Sequence, residues 1–225
     1  MSAWLRRRTA VDRVVAALLL VPLAPVLAAV VGLVRIEGRP AVLGVRRCGR
    51  GGRTFAMAKV RTMRPAGPDG LAGGAALSSG DDDRITPLGR RLRRFRVDEL
   101  PQLANVVRGE MALIGPRPED PRYVDLDDPR WDAVLQAPPG IVGPTQVLVH
   151  RWEADALRGA GAEGVYEREI LPAKLAIDAW YVRSACARID VVTVVSLVQS
   201  FLGRDETWLH RTVTPALLSP LPATA

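Results

Sequence analysis

The chain has 225 residues, a length that leaves room for one domain with a packed core. It carries 31 Lys and Arg residues against 24 Asp and Glu residues, a net charge of +7, so we expect an anionic partner such as nucleic acid, acidic lipid or phosphate. Its 2 cysteines and 2 histidines stand in no metal-ligand spacing, which argues against a zinc site and favours structural, reduced thiols.

The N-terminal region contains an uncharged, apolar segment, residues 14–34. A helix of this length is about 31 Å long, enough to cross a bilayer. Pro22 and Pro25 lie near its middle, and basic residues flank both ends, which favours keeping both ends in the cytoplasm. Two alternatives stay open: a transmembrane helix kinked by proline, or a helix that breaks at the prolines, enters one leaflet and returns. No convincing cleavage site follows the segment, so we expect it to be retained.

Two short segments, residues 41–45 and 54–60, are predicted strands around a turn at Arg50-Gly51-Gly52. The resulting β-hairpin places Lys59 and Arg61 on one face of its second strand, because side chains alternate along a strand. Two cations on one face could hold a diphosphate. They could equally be solvated charges that protect an edge strand from pairing.

Two segments have the composition of irregular structure. Residues 64–83 are rich in Gly, Ala, Pro and Ser and end in three aspartates, which predicts a mobile loop. Consecutive carboxylates on such a loop are usually solvated, so we assign them no role. The proline-containing residues 212–225 are predicted to form a disordered tail.

An arginine-rich helix is predicted at residues 86–96, with Thr86 as its N-cap and Pro87 at its first helical position. Guanidinium groups on such a helix suit the binding of phosphate, because they donate to two oxygens at once. The helix carries Arg90, Arg91, Arg93, Arg94 and Arg96.

An adjacent acidic pair, Asp98 and Glu99, follows this helix. A second helix is predicted at residues 101–108 with Gly109 as its stop, and the proline that begins it should bias Leu100 away from the α region. Neighbours within a regular helix point about 100° apart, whereas a break between helices can turn both carboxylates toward one cavity. One could then attack a phosphate and the other hold a metal ion, with nearby arginines keeping both ionised.

A simpler interpretation is a surface network of Arg, Asp and Glu, with Arg94 and Asp98 as an i,i+4 ion pair. The surrounding motifs favour the first interpretation. The segment that runs from DELPQL at Asp98 through Asn105 to GEMALIGPRP, ending at Pro118, resembles the core of the bacterial sugar transferase family, the small monotopic phosphoglycosyl transferases. The resemblance extends from about Arg6 to Leu202.

The resemblance implies a mainly helical α+β fold. We predict an N-terminal re-entrant membrane helix hairpin at residues 1–35 and a catalytic domain at residues 36–211, with a small β-hairpin and surface or interfacial helices around the active site. The apolar residues 191–202 are too few to span a membrane. They form either a core helix or a helix at the lipid boundary, and the aromatic pair Trp180-Tyr181 before them suits an interfacial position.

The resemblance also implies an activity. Family members transfer a sugar phosphate from a nucleotide diphosphosugar, generally a uridine one, to a polyprenyl phosphate and release the nucleoside monophosphate. Asp98 matches the family's nucleophile and Glu99 its Mg²⁺ ligand. The expected partners are therefore these two substrates and membrane lipid, not nucleic acid, at the cytoplasmic face of the cell membrane, with no oligomeric state indicated.

Other matching positions extend the predicted site. The segment KVRTM at Lys59 and the segment PGIVGPTQV at Pro139 resemble family motifs. Predicted substrate-binding residues are Lys59, Arg61, Thr62, Arg93, Arg117 and Gln146, and predicted anchor residues are Asp12 at the base of the hairpin and Ala24 and Pro25 at its bend. The chain departs from the family at three positions, with Ala24 for Ser, Val60 for Phe and Pro144 for Trp.

Two rival functions stay open. A membrane-anchored binding module without catalysis would explain the net charge and the apolar segment. It would not explain paired carboxylates in the most basic part of the chain, where they oppose binding to a polyanion. An inactive relative is the second rival, and the three departures from the family pattern are its only support.

Overall fold

In the computed structural model, which describes residues 3–64, 82–157, 162–203, 209, 210 and 213, the chain is mainly helical with two small sheets. The described helices are α1 Ala3–Ile36, α2 Pro87–Arg94, α3 Gln102–Arg108, α4 Pro129–Leu135, α5 Pro144–Leu148, α6 His150–Ala156, α7 Ala162–Val165, α8 Leu171–Ser184 and α9 Ala187–Phe201. The described strands are β1 Val42–Cys48, β2 Thr54–Val60, β3 Ala112–Ile114 and β4 Gly140–Val142.

The N-terminal apolar segment lies within α1, a single 34-residue helix that contains both Pro22 and Pro25. The two limbs expected from the sequence are not assigned as separate helices. Most of the apolar stretch is exposed, and α1 is the one helix among the described residues that is long and apolar enough to cross a membrane. The segment therefore has the surface of a membrane-contacting helix.

The predicted β-hairpin is confirmed. β1 and β2 pair antiparallel with Val45 opposite Met57, and the turn lies at Arg50–Gly52 as expected. β1 extends to Cys48, beyond the predicted end of its strand. The α3 residue Asn105 joins the hairpin to the rest of the domain, since its side chain accepts from the Ala58 amide and donates to the Ala56 carbonyl.

The arginine-rich helix α2 begins as predicted, with the Thr86 hydroxyl accepting from the Gly89 amide. It ends at Arg94, two residues before the predicted end, because Arg96 adopts a left-handed backbone conformation with φ of 52°. A short 3₁₀ turn, Val97–Glu99, follows. This reversal at Arg96 creates the break in which the acidic pair lies.

The prediction for Leu100 was wrong. Its backbone is α-helical, and its amide donates to the Val97 carbonyl at 3.2 Å. The steric effect of a following proline is a preference, and here the hydrogen bond of the 3₁₀ turn outweighs it. Pro101 precedes the first residue of α3, a position where a missing amide hydrogen costs little free energy. Gly109 ends α3 with φ of 82°, as predicted.

A second sheet was not predicted. β3 and β4 pair in parallel, with Ala112 opposite Gly140 and Ile114 opposite Val142. A side chain at Gly140 would lie 2.0 Å from the Gly115 amide nitrogen, so this contact between backbones requires glycine. The sheet places the Gly-Pro-Arg-Pro turn directly after β3.

The two longest C-terminal helices pack the other side of the domain. Tyr181 on α8 is fully buried, so this residue takes a core position rather than an interfacial one, and its hydroxyl donates to Asp190 on α9. α9 buries polar residues and exposes apolar ones. Its buried residues are Asp190, Thr193, Ser196 and Gln199, and its exposed large apolar residues are Val191, Val194, Val198 and Phe201.

Both segments predicted to be irregular lie largely outside the described residues. Of the predicted loop 64–83, the structure describes Arg64, Asp82 and Asp83, and Asp82 accepts from the Arg84 guanidinium at 2.6 Å. Of the predicted tail 212–225, it describes residue 213.

Candidate active site

The acidic pair is buried at the wall of a large cavity. Asp98 is 2% exposed and Glu99 6% exposed, and both line a cavity of about 670 Å³. The same cavity is lined by the basic residues Arg47, Lys59, Arg90, Arg93, Arg94, Arg96, Arg117 and Lys174. The structure thus places both carboxylates together inside a strongly basic cavity, as the break between helices predicted.

Lys59 is the ion partner of Asp98. Its ammonium nitrogen, at the end of β2, lies 3.0 Å from Asp98 Oδ2 and 3.8 Å from Glu99 Oε1. The hairpin therefore delivers one cation to both carboxylates. Lys59 is therefore an ion-paired residue of the cavity wall and not a solvated edge charge, and its binding of phosphate stays a prediction.

Glu99 is held by three cations. Arg117 Nη2 lies 3.1 Å from Glu99 Oε1, and Arg96 Nη1 lies 3.5 Å from Oε2. Burial opposes ionisation of Glu99, but Arg117, Lys59 and Arg96 outweigh it and lower its pKa to about 2. Glu99 is therefore fully ionised at neutral pH, as the arginine-rich surroundings predicted.

Arg93 lines the cavity and is held by Thr62, whose hydroxyl accepts from Arg93 Nε at 2.9 Å. This contact requires α2 to pass close to the chain just after β2. Gly89 allows that approach, because a Cβ atom at this position would lie 2.1 Å from the Thr62 carbonyl oxygen. Thr62 itself is buried outside the cavity wall. The structure thus makes it a support for Arg93.

Arg61 does not join Lys59 at the cavity. It is 4% exposed, and its guanidinium donates to the backbone carbonyls of Val34 at 3.1 Å and Gly38 at 2.7 Å. β2 ends at Val60, so the strand alternation that placed both cations on one face stops before Arg61. The side chain instead caps the end of α1.

The cavity wall beyond Arg117 carries a second charged cluster that sequence reasoning missed. Lys174 Nζ lies 3.0 Å from Glu153 Oε1 and 3.4 Å from Glu119 Oε2, and the Tyr166 hydroxyl donates to Glu119 at 2.6 Å. Burial opposes both charges, yet the pairing raises the pKa of Lys174 and lowers the pKa of Glu119. These residues stand far apart in the chain, and apart from Glu119 after the Gly-Pro-Arg-Pro turn no local motif marks them.

Gln146 lies at the cavity, as predicted. Its Oε1 accepts from the Gly143 amide at 2.8 Å, while its buried Nε2 has no hydrogen-bond partner among the described residues. Arg47 Nε, on the same cavity wall, is also buried and has no hydrogen-bond partner among the described residues. Buried donors normally have an acceptor, so these two atoms are suited to oxygens of a bound molecule.

Asp178 supports both Arg117 and the Gln146 segment. It accepts from the Arg117 backbone amide at 3.3 Å and from the hydroxyl of Thr145. Burial raises the pKa of Asp178 to about 7. This residue, which the sequence did not single out, joins α8 to the turn that positions Arg117.

The predicted anchor residues lie on α1, away from the cavity. Asp12 is buried and accepts from Arg8 Nε at 3.1 Å and from the Leu113 amide at 3.3 Å. Ala24 and Pro25 are exposed within the apolar stretch. Asp12 therefore attaches the helix to the domain, whereas the other two positions face outward.

Comparison with known proteins places this site in a family. The sequence pattern of the bacterial sugar transferase family matches residues 3–204 of the chain. The chain belongs to the bacterial sugar transferase family.

Individual members of the family are similar over most of the chain. A Caulobacter vibrioides UDP-glucose:undecaprenyl-phosphate glucose-1-phosphate transferase is 37% identical over 90% of this chain and 72% of its own length. An Aeromonas hydrophila UDP-N-acetylgalactosamine-undecaprenyl-phosphate N-acetylgalactosaminephosphotransferase is 32% identical over 84% of this chain, which spans 42% of that enzyme. The exopolysaccharide production protein ExoY of Sinorhizobium fredii is 37% identical over 60% of this chain and 66% of its own length.

The three departures from the family pattern lie outside the ion-pair cluster at Asp98 and Glu99. Val60 is buried against Val34 and Leu92, where it packs between α1 and α2. Pro144 is buried at the start of α5. Ala24 is exposed on α1, so none of the three removes a charged group from the site.

The carboxylates suit one mode of Mg²⁺ binding. The described residues contain no group of three or more Asp, Glu, His or Cys that could form an all-protein metal cage. Mg²⁺ commonly binds through one or two carboxylates and completes its shell with substrate phosphates and water. The ionised Glu99 beside Asp98 fits that mode.

Proposed function

We propose that this protein transfers a sugar 1-phosphate from a UDP-sugar to a membrane polyprenyl phosphate, through a covalent intermediate on Asp98, as the first membrane step of exopolysaccharide or other glycan assembly. The observation that carries the proposal is the pairing of the buried Asp98 with Lys59 beside the ionised Glu99, within a cavity lined by arginines. The similar proteins named above act on UDP-sugars and undecaprenyl phosphate, which supports the assignment.

The reaction has two displacements. In the first, an Asp98 carboxylate oxygen attacks the phosphorus that bears the sugar, and the bond to the UMP oxygen breaks with its electron pair leaving on UMP. In the second, a phosphate oxygen of the polyprenyl phosphate attacks the same phosphorus and the bond to Asp98 breaks. Splitting the transfer in this way lets two anionic substrates use one site in turn.

The surrounding cations hold and orient the phosphates. Arg93 and Arg117 line the same cavity as the acidic pair, and guanidinium groups bind phosphate oxygens in pairs. The ammonium group of Lys59 compensates the negative charge of the Asp98 carboxylate, which supplies the attacking oxygen. Mg²⁺ held by Glu99 would neutralise the diphosphate, and the buried donors of Gln146 and Arg47 would bind oxygens of the nucleotide sugar.

We also propose that α1 enters one leaflet of the inner membrane without crossing it, with the active site on the cytoplasmic face. Residues at both ends of its apolar stretch contact the same domain: Arg13 donates to the Val107 carbonyl, and the Val34 carbonyl accepts from Arg61. A helix that crossed a bilayer would separate these ends by about 30 Å of hydrocarbon. Labelling of single cysteines at Arg7 and Glu37 from the cytoplasmic side alone would support this arrangement, and labelling of the two from opposite sides would contradict it.

The decisive experiment uses the donor without the acceptor. Incubation with a UDP-sugar and Mg²⁺ should release up to one UMP per enzyme and leave a phosphosugar adduct that mass spectrometry assigns to Asp98. Asp98→Asn should form no adduct, and its transfer rate should fall at least about a thousandfold. The variant should remain bound to membranes.

Asp128→Asn provides the matched control, because Asp128 pairs with the exposed Arg130 outside the cavity. It should retain full activity. An active wild-type preparation that never yields the adduct would overturn the covalent mechanism. Membrane binding without any UMP release would favour the noncatalytic binding module instead.

A further inference from the structure

The exposed side of α9 is an apolar surface that ends at the active-site cavity. Val191, Val194, Val198 and Phe201 follow one another at intervals of three or four residues and are all exposed, so they share one helix face. The opposite face buries polar side chains against the domain. This arrangement is the reverse of a helix at the surface of a soluble protein, and it indicates contact with an apolar phase.

The C-terminal end of α9 forms part of the cavity wall. Ser200 and Phe201 line the cavity, and Phe201 is 50% exposed. The Arg96 guanidinium lies 6.0 Å from the Phe201 ring centroid, which brings the end of α9 against the end of α2. Phe95, which stands between the cavity-lining Arg94 and Arg96 in the chain, is 67% exposed, so a second exposed apolar side chain lies close to the opening that Phe201 borders.

Positive charge continues from this opening to the nucleophile. Arg90 and Arg94 line the cavity and are exposed, whereas Arg93 and Arg96 line it and are partly buried. Asp98 lines the same cavity and is buried. The exposed Phe201 and these guanidinium groups therefore line the same cavity as Asp98.

We propose that this opening admits the lipid acceptor, with its isoprenoid chain on the α9 face from Val194 to Phe201 and its phosphate passed from Arg90 and Arg94 toward Asp98. The inference rests on the proposed function and assigns an entrance to one of its two substrates, the lipid acceptor. A nucleotide diphosphosugar has no apolar part that would use the α9 face. A polyprenyl phosphate has both the apolar chain and the anionic end that the opening matches.

Measuring the two half-reactions separately distinguishes a role of Phe201 in acceptor binding from a role in the reaction with the donor. Phe201→Ala should leave the burst of UMP from donor alone within about twofold of wild type, because the first displacement involves no lipid. Burying the exposed half of a Phe ring against an isoprenoid chain is worth about a tenfold change in affinity, so the KM for polyprenyl phosphate should rise by about that factor. Phe201→Leu keeps a large apolar side chain, so its KM for polyprenyl phosphate should stay close to the wild-type value.

Val191→Ala is the control, since Val191 lies on the same exposed face at the opposite end of α9 and does not line the cavity. It should leave the KM for polyprenyl phosphate unchanged. A water-soluble phosphate acceptor without an isoprenoid chain should show less than about a threefold effect of Phe201→Ala.

Three outcomes would overturn the inference. The KM for polyprenyl phosphate could be unchanged in Phe201→Ala, or it could rise equally in Val191→Ala. In the third outcome, Phe201→Ala slows the UMP burst as much as it slows transfer to the acceptor. The last outcome would mean that Phe201 acts on the site through Arg96. Failure of the proposed function is distinguishable, because wild-type enzyme would then give no UMP burst at all.

Discussion

The ammonium group of Lys59 lies 3.0 Å from the carboxylate of Asp98, although one residue ends a β-hairpin and the other lies in a turn between two helices. The pair joins the two elements at the cavity wall. In the proposed reaction, a cation this close to the Asp98 oxygen would stabilise the charge that shifts as the phosphosugar adduct forms.

Lys59→Met should slow the donor-alone burst of UMP by about a hundredfold, because it removes a fixed charge next to the reacting atoms. Rapid-quench measurement of UMP release would give this rate. Arg53→Met removes an exposed cation from the same hairpin and should leave the burst unchanged. A normal burst in Lys59→Met would argue that Lys59 is a structural ion partner only.

Arg61 should behave differently from its neighbour. Arg61→Ala removes two hydrogen bonds that a buried guanidinium makes to the carbonyls at the end of α1, so it should lower the free energy of unfolding by about 2–4 kcal/mol. Thermal unfolding in detergent or nanodiscs would measure the loss. The KM for the donor should stay the same in the folded fraction, and a raised donor KM without loss of stability would restore Arg61 to the phosphate site.

Glu99 should carry the metal dependence. Glu99→Gln removes the ionised carboxylate that we propose as the Mg²⁺ ligand, so the Mg²⁺ concentration for half-maximal burst rate should rise by about tenfold or more. Glu37→Gln removes an exposed carboxylate near the end of α1 and should not move the Mg²⁺ titration. An identical titration curve in Glu99→Gln and wild type would assign the metal to other groups.

Glu99 should also contribute to stability in a pH-dependent way. Its pKa of about 2 lies below the ordinary value of 4.5, so the folded state binds its proton less tightly than the unfolded state. The resulting stabilisation, roughly 3 kcal/mol, is full above pH 4.5 and is lost as the pH falls toward 2. The difference in unfolding free energy between wild type and Glu99→Gln should shrink over that range, whereas a constant difference would mean that its neighbours do not lower its pKa.

The attachment of α1 depends on one buried arginine. Arg8 pairs with Asp12 at 3.1 Å and also donates to Asp190 and to the Tyr181 hydroxyl. Arg8→Ala would leave two buried carboxylates without a cation and should cost about 3–5 kcal/mol of stability. Arg7→Ala, at an exposed position, is the control, and equal melting temperatures for the two variants would contradict a structural role of the network.

Local patterns were sufficient for several parts of the fold. Thr86 and Pro87 predicted the start of α2, and the Gly51-Gly52 turn predicted the hairpin, because caps and turns depend on residues close in sequence. The position of Asp98 at a helix break was likewise predictable. Its cause was not, since the left-handed backbone falls on Arg96 rather than on a glycine or next to the proline.

Other parts depend on contacts between distant segments. β3 and β4 have three residues each, too few for a periodic pattern, and they form only because two backbones meet at Gly115 and Gly140. Lys174 carries no local signal, and it pairs with Glu119 because α8 packs beside the Gly-Pro-Arg-Pro turn.

The amino-acid sequence by itself determined that this is a basic, membrane-contacting chain of the bacterial sugar transferase family with an acidic pair between two helices, because charge, hydropathy and motifs are properties of neighbouring residues. The tertiary structure alone decided which cations reach that pair. Lys59 and Arg61 are two residues apart and chemically alike, yet one lies at Asp98 and the other holds the end of α1. The reason is that β2 ends between them, and the direction of a side chain after a strand end is determined by the elements packed around it.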